Sequence, residues 1–341
     1  ETMRGMVNLS YQELAKQILA LYLEEFPAEE IDEMVNAAYN SDSFDDAEVA
    51  PVVKIKDGLY SLELWHGPTA AFKDMALQLL PHLLVHSMRK TGVDKEVVIL
   101  VATSGDTGKA ALEGFKDVEG TRIITFYPHG GVSEVQELQM LTTGGKNTSA
   151  FAVKGNFDDC QRAVKEAFAN EALLKEVDAL GCQFSSANSI NWGRLLPQIV
   201  YYFSAYMQLV KKGDIQFGDA IDFTVPTGNF GNILAGWFAR EMGLPIGKLV
   251  CASNANDVLD EFIQTGVYNA NRPFLKTNSP SMDILVSSNL ERFLYFMSEG
   301  DGKAVEEYMQ ALKADGKYSV PQEVVARMKD VLDSGAVDEA G

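Results

Sequence analysis

The chain has 341 residues, 46% of them hydrophobic and 23% charged, with a formal net charge of -19. Its length predicts about two domains with a core large enough to need no staples. The acidic balance argues against nucleic acid or an anionic membrane surface as a partner, because both carry the same sign of charge. The cysteines Cys160, Cys182 and Cys251 are odd in number and far apart, with no C-x-x-C. They predict buried thiols in a reducing compartment, the cytoplasm, rather than a disulfide framework or a zinc site. Of the four histidines only His82 and His86 have a ligand-like spacing. Without an H-E-x-x-H pattern or a third ligand, no metal site is expected. No basic region precedes an apolar run at the start, and no apolar stretch reaches membrane length, so neither a signal peptide nor a spanning helix is expected. The two ends, Glu-Thr-Met-Arg and Glu-Ala-Gly, read as trimmed.

In chain order, Ser10-Tyr11-Gln12-Glu13 is a capping box that opens an amphipathic helix through Leu14, Ile18 and Leu21 to about Glu25. A second helix is expected over 29–40, burying Ile31, Met34, Val35 and Ala38, followed by a polar loop over 41–47. Residues 52–55 and 59–65 read as strands around an Asp57-Gly58 hairpin turn. The stretch His66-Gly67-Pro68-Thr69-Ala70-Ala71-Phe72-Lys73-Asp74 enters as a loop, and Met75, Leu79 and Leu83 continue it as one helix to about Lys90.

From there strands and helices alternate. Strands are expected at 97–102, 122–127, 150–153, 183–187, 221–225 and 249–252. Helices are expected at 109–116, 134–141, 158–169, 192–211, 232–241 and 257–264. This rhythm predicts an α/β protein with mostly parallel sheets flanked by helices. After residue 290 only helical patterns are visible, at 290–298, 304–313 and 323–332.

Lys73 falls at a helix start, where the positive end of the macrodipole disfavours a cation. Its neighbours Ala70, Ala71 and Phe72 cannot solvate an ammonium. Such a lysine should have a lowered pKa and a nucleophilic amine that condenses with carbonyls. Taken alone, an ordinary surface lysine would be the safer reading.

Three strand-to-helix loops shift that balance, since ligands of parallel sheets sit at the carboxyl ends of the strands. Thr103-Ser104-Gly105-Asp106-Thr107-Gly108 offers glycines and hydroxyls before a helix expected to begin near Gly108, an anion nest as plausible as a plain serine-rich cap. Thr227-Gly228-Asn229-Phe230-Gly231-Asn232 matches neither the P-loop nor the dinucleotide spacing and suits a single phosphate on a small cofactor. Ser185-Ser186-Ala187-Asn188-Ser189-Ile190-Asn191-Trp192-Gly193-Arg194 combines amides and hydroxyls with a guanidinium, a clamp for phosphate or carboxylate. Any one of them could be an ordinary polar loop; three in an acidic chain are harder to explain that way.

With H-G-P-T-x-A-F-K-D at 66–74, A-T-S-G-D-T-G at 102–108, S-A-N-S-I-N-W-G-R at 186–194 and P-T-G-N-F-G-N at 226–232, the chain resembles threonine synthase. Pro280-Ser281-Met282-Asp283-Ile284-Leu285 and Ser288-Asn289-Leu290-Glu291-Arg292 share the resemblance. It implies a pyridoxal 5′-phosphate enzyme with the tryptophan synthase β-like fold, in two lobes. The larger lobe would be 1–92, helical over 1–50, plus 203–341; the smaller would be 93–202, with the substrate in the cleft between them. Lys73 would hold the cofactor as a Schiff base, and Phe72, Asp106, Gly228, Asn229, Phe230, Gly231 and Asn232 would bind it. Ser104, Gly105 and Thr107 would hold the carboxylate side of the substrate, with Asn188, Ser189, Asn191 and Arg194 on its phosphate.

The resemblance implies the conversion of O-phospho-L-homoserine and water to L-threonine and phosphate, with no nucleic-acid or membrane partner. It also implies further segments at both ends, the C-terminal one giving a threonine to the pyridine nitrogen. Two alternatives stand beside this reading. One is another enzyme of the same cofactor, such as a serine/threonine dehydratase, which would not need Arg194. The other is a truncated, catalytically silent form that only binds a ligand.

Overall fold

Residues 97–101 are five consecutive buried side chains, so this strand needs a covered sheet on both sides, and it lies inside one. In the computed structural model, which describes residues 3–103 and 105–338, the strands are β1 (Val52–Lys56), β2 (Leu59–Leu62), β3 (Glu96–Ala102), β4 (Thr121–Pro128), β5 (Thr148–Val153), β6 (Cys182–Ser185), β7 (Ile221–Pro226), β8 (Ile246–Ser253), β9 (Val267–Asn269), β10 (Lys317–Ser319) and β11 (Leu332–Ala336). A four-stranded sheet runs in the order β5-β4-β3-β6 and a three-stranded sheet in the order β11-β8-β7, every pair parallel. β1 and β2 form the expected antiparallel hairpin, with Gly58 at a φ of 74° in its turn.

The chain divides into two compact units, Glu1–Lys211 and Lys212–Gly341. The first holds the four-stranded sheet and the second the three-stranded one. This division differs from the lobes expected from the sequence. Leu77, Leu80 and Met88 share one core with Val97, Ile99, Phe115 and Ile123, so residues before 93 pack with the segment that follows them.

The Ser10 cap forms as expected: its hydroxyl accepts from the N–H of Glu13, and the Glu13 carboxylate accepts from the N–H of Ser10. The helix it opens stops at Ala20, and the next spans Ala28–Ala38. The single helix expected from Lys73 to Lys90 is instead two, Asp74–Leu77 and Leu80–Lys90. Pro81 has no N–H to give to the carbonyl of Leu77, which breaks the ladder there. That carbonyl lies instead against Gly114, where an added Cβ would sit 2.1 Å from it.

Three further features depart from the sequence expectation. A helix at Glu171–Ala179 follows directly on the one at Phe157–Ala169, with Asn170 capping it. The strand β10, paired antiparallel with β9, and the strand β11 contradict the purely helical reading after residue 290. β11 has the sequence Leu-Asp-Ser-Gly-Ala, poor in strand-forming side chains. It is a strand because its backbone pairs along β8 from Leu332 to Ala336.

Candidate active site

Lys73 stands at the end of a tightly braced loop. Asp74, fully buried, accepts hydrogen bonds from the Thr69 N–H at 2.8 Å and the Thr69 hydroxyl at 2.7 Å. Gly67 is required there, since a Cβ at that position would fall 2.5 Å from the Asp74 Cβ. From the neighbouring helix, the Lys109 ammonium donates to the Thr69 carbonyl at 2.8 Å. Burial raises the pKa of Asp74, and the Thr69 bonds oppose that rise.

The brace fixes Lys73 with 8% of its surface exposed. Its Nζ donates to Asp106 Oδ2 at 2.5 Å and lies 4.8 Å from the centre of the Phe72 ring. Burial pulls the Lys73 pKa below its ordinary value, Asp106 opposes that by charge and hydrogen bond, and Arg194 and Lys109 push the same way as burial. The sequence expectation of a desolvated lysine at a helix start is met, and its counter-ion is one of the residues named for the cofactor.

The loop after β3 is organised by Thr103. Its hydroxyl accepts from the N–H groups of Gly105 at 3.0 Å and Gly108 at 2.9 Å and donates to the Gly105 carbonyl at 3.2 Å. Thr103 is therefore a structural pin, which corrects the expectation that its hydroxyl is a free donor for an anion. The helix starts at Asp106, earlier than expected, and places Asp106 and Thr107 in its first turn. Gly105 precedes it with a φ of 150°, and a Cβ there would strike the Gln136 side chain. Ser104 lies outside the described residues.

The loop before the Trp192–Lys212 helix brings Arg194 into the same unit, 5% exposed. One guanidinium nitrogen, Nη1, donates to the Ala187 carbonyl at 3.0 Å, while the buried Nε has no hydrogen-bond partner among the described residues. Burial lowers the Arg194 pKa to about 10, with Asp106 opposing the shift. Asn191 accepts from the Gly193 N–H and donates to the Ser186 carbonyl, and Asn188 accepts from the Ser189 hydroxyl and the Ile190 N–H. These two amides are occupied in shaping the loop; Arg194 is the member of this set with a buried donor to spare.

In the second unit, β7 leads into Thr227–Asn232. Thr227 is tied to strand backbone through its N–H to Ala252 and its hydroxyl to Val225. Phe230 adopts a left-handed φ of 63°, a costly conformation for an aromatic residue, and precedes the helix Gly231–Glu241, which lacks a side-chain cap. Lys73, Asp106 and Arg194 are thus brought together in the first unit, and Gly228 to Asn232 form a separate turn in the second. The sequence reading gave no role to Asp74, Thr69 or Lys109. The signal was available in Asp74, an acid set between Lys73 and an apolar run.

No family model matches the chain. It is 43% identical to threonine synthase from Pseudomonas aeruginosa, over 99% of this chain and 69% of that protein. The chain belongs to the threonine synthase family. Its fold agrees: it superposes on PLP-bound threonine synthase from Brucella melitensis with a TM-score of 0.91 at 41% identity, covering 98% of this chain and 69% of that one. For yeast threonine synthase the TM-score is 0.89 at 37% identity, covering 98% and 67%. The chain is also 42% identical to human threonine synthase-like 1, over 96% of its own length but 44% of that relative. It therefore spans less than half of the threonine synthase-like 1 proteins and about two thirds of the threonine synthases it matches. The α/β fold with parallel sheets is thereby the fold of threonine synthases, as the sequence motifs implied.

Proposed function

We propose that the protein uses pyridoxal 5′-phosphate to convert O-phospho-L-homoserine and water to L-threonine and inorganic phosphate. The observation that carries this reading is the buried Lys73, its amine deprotonated more readily than a free lysine and held on Asp106. Its fit to the cofactor can be judged on this chain's own atoms. A buried amine suits an aldehyde; the uncapped helix start after Gly228-Asn229-Phe230 suits a phosphate; the unpartnered Arg194 Nε suits a second anion. Lys73 would hold the cofactor covalently, Phe72 and Asp106 would flank it, and Gly228, Asn229, Phe230, Gly231 and Asn232 would take its phosphate.

When bound, pyridoxal phosphate supplies an aldehyde for an amino group and a ring that withdraws electrons from the carbon beside it. Lys73, once its amine is free, would carry a proton at the α-carbon of the substrate, and Asp106 would hold that amine in place. Arg194, buried and with a donor to spare, would stabilise the charge gathering on the departing phosphate. Ser104, Gly105 and Thr107 would hold the α-carboxylate end, with Asn188, Ser189 and Asn191 supporting the phosphate end. No group of three or more His, Cys, Asp or Glu side chains that could hold a metal ion is found among the described residues.

The net charge of -19 supports a small-molecule substrate over a nucleic-acid or membrane partner. No helix among the described residues is long and apolar enough to cross a membrane. The free thiols of Cys160, Cys182 and Cys251 support a cytoplasmic location.

The test incubates the purified chain with pyridoxal phosphate, reduces it with borohydride and maps the labelled peptide, then follows phosphate release from phosphohomoserine. The label is expected on Lys73, with release abolished in Lys73→Ala. A label on another lysine, or undiminished release from that variant, refutes the assignment.

A further inference from the structure

The segment Pro280 to Arg292 shares the family resemblance, yet no role for it follows from the sequence. The structure assigns it one: it braces the Gly228-Asn229 turn, and Asp283 is the positioning residue that anchors the brace. The inference rests on the reading above that this turn takes the cofactor phosphate.

The brace acts on the carbonyls of the turn. The Ser287 hydroxyl donates to the Gly228 carbonyl. The Asn289 N–H and side-chain amide both donate to the Asn229 carbonyl at 3.1 Å, and the Ser288 hydroxyl donates to Asn229 Oδ1 at 3.2 Å. Every peptide bond among the described residues is trans, so in each planar unit the N–H points opposite to its C=O. Holding the carbonyls of Gly228 and Asn229 on residues 287–289 therefore turns the N–H groups of Asn229 and Phe230 the other way. Neither N–H has a partner among the described residues, which is the state a phosphate cradle needs before its ligand arrives. Side-chain-free Gly228 lets the brace close in: an added Cβ would meet Ile284 Cγ1 at 3.0 Å, the Ser281 carbonyl at 3.2 Å and Met282 Cα at 3.3 Å.

Asp283 fixes the brace to the sheet. It is 9% exposed, and its carboxylate accepts four hydrogen bonds from neutral donors. They are the Thr277 N–H at 3.0 Å, the Thr277 hydroxyl at 2.7 Å, the Asn254 amide at 2.8 Å and the Asn256 amide at 3.1 Å. Asn254 directly follows β8, the strand paired with β7, which itself leads into the turn. The turn is thereby held from both sides, by the end of its own strand and by a brace pinned to the strand beside it. Asp283→Asn keeps the shape but replaces an acceptor by an amide donor that faces donors, so the pin should slip.

The experiment measures the binding of pyridoxal 5′-phosphate and of pyridoxal, which lacks the phosphate, by absorbance titration of the full chain stripped of cofactor. The original chain should bind the phosphorylated form more tightly. Asp283→Asn should weaken that form by about tenfold or more, the scale of one hydrogen bond to a charged group, while leaving pyridoxal unchanged. Ser287→Ala, which removes one hydroxyl and disturbs the fold less, should shift the same ratio in the same direction by a smaller factor. Circular dichroism checks that each variant is folded. Equal weakening of both ligands, or an unchanged ratio in folded Ser287→Ala, overturns the brace. If the original chain itself does not distinguish the two ligands, the phosphate reading of the turn fails, and the brace with it.

Discussion

Gly114→Ala tests how the Lys73 segment and the Asp106 helix are joined. In an isolated helix the change would be favourable by about 1 kcal/mol, because alanine loses less backbone freedom than glycine. Here the new Cβ would sit 2.1 Å from the Leu77 carbonyl oxygen and 2.8 Å from its carbon. Those are backbone atoms, which cannot rotate aside, and the shorter distance is over 1 Å inside ordinary van der Waals contact. Overpacking of this kind costs about 1–3 kcal/mol, and a clash with backbone belongs at the upper end, so the net loss should be about 2 kcal/mol. For a unit of this size that lowers Tm by about 4–8 °C. Asp106 opens the helix that contains Gly114, so pushing the helix away should also lengthen the 2.5 Å Lys73–Asp106 bond. The assay pairs thermal unfolding with the rate at which pyridoxal can be trapped on Lys73 by borohydride. Gly5→Ala, where nothing lies within 4 Å of the new Cβ, is the control and should change neither. A Gly114→Ala protein as stable as the original, with an unchanged trapping rate, would refute the packing argument.

The remaining predictions rest on charge. Arg194→Met removes a buried guanidinium whose pKa is already lowered to about 10; phosphohomoserine turnover should fall about tenfold or more while pyridoxal phosphate binding holds, and equal loss of both in the two assays would make Arg194 structural. Because burial holds the Lys73 pKa below 10.5, more of its amine is neutral at a given pH, so trapping of pyridoxal should rise with pH, with its midpoint below 10.5 and its plateau at lower pH than for an exposed lysine. Asp106 raises that pKa, so in Asp106→Asn the plateau should come at lower pH still; a shift to higher pH would refute the role of the ion pair. The linked stability has a defined sign: between the lowered folded value and 10.5 the unfolded chain binds more protons, so this group's contribution to stability rises with pH there.

Much of the architecture was legible because the residues that set it act locally. The Ser10 capping box, the Asp57-Gly58 turn and the apolar run of β3 each specify their element within a few residues. What escaped the sequence is decided at a distance. β11 is held by pairing to β8, some eighty residues earlier in the chain, and its own Asp-Ser-Gly carries no strand signal. The break after Leu77 needs Pro81 and the close approach of Gly114 together. At the site, Lys73 was legible from its apolar neighbours, whereas the partner it bonds, Asp106, lies 33 residues away. Thr103 misled because a hydroxyl in a glycine-rich loop reads alike whether it faces a ligand or pins the turn.

The distribution of charge gives the first unit a reason to bind an anion that the net charge conceals. The chain as a whole carries -19, yet Lys73 and Arg194 are both buried, with the Asp106 carboxylate the countercharge acting on each. Lys109, close enough to depress the Lys73 pKa, adds a third cation, while the carboxylate of Asp74 is engaged by Thr69 and is itself pushed toward its neutral form by burial. Burying cations with less than matching negative charge costs folding stability, and both depressed pKa values are the signature of that cost. A fold selected for stability alone would fill these positions with apolar side chains, which pack as well without the desolvation penalty. Keeping them makes sense where a ligand brings the missing negative charge and returns what folding gave up. The acidic exterior does not oppose this at such short range, because exposed charges beyond a Debye length of roughly 8–10 Å are largely screened, whereas buried cations act on a ligand through a medium of low dielectric.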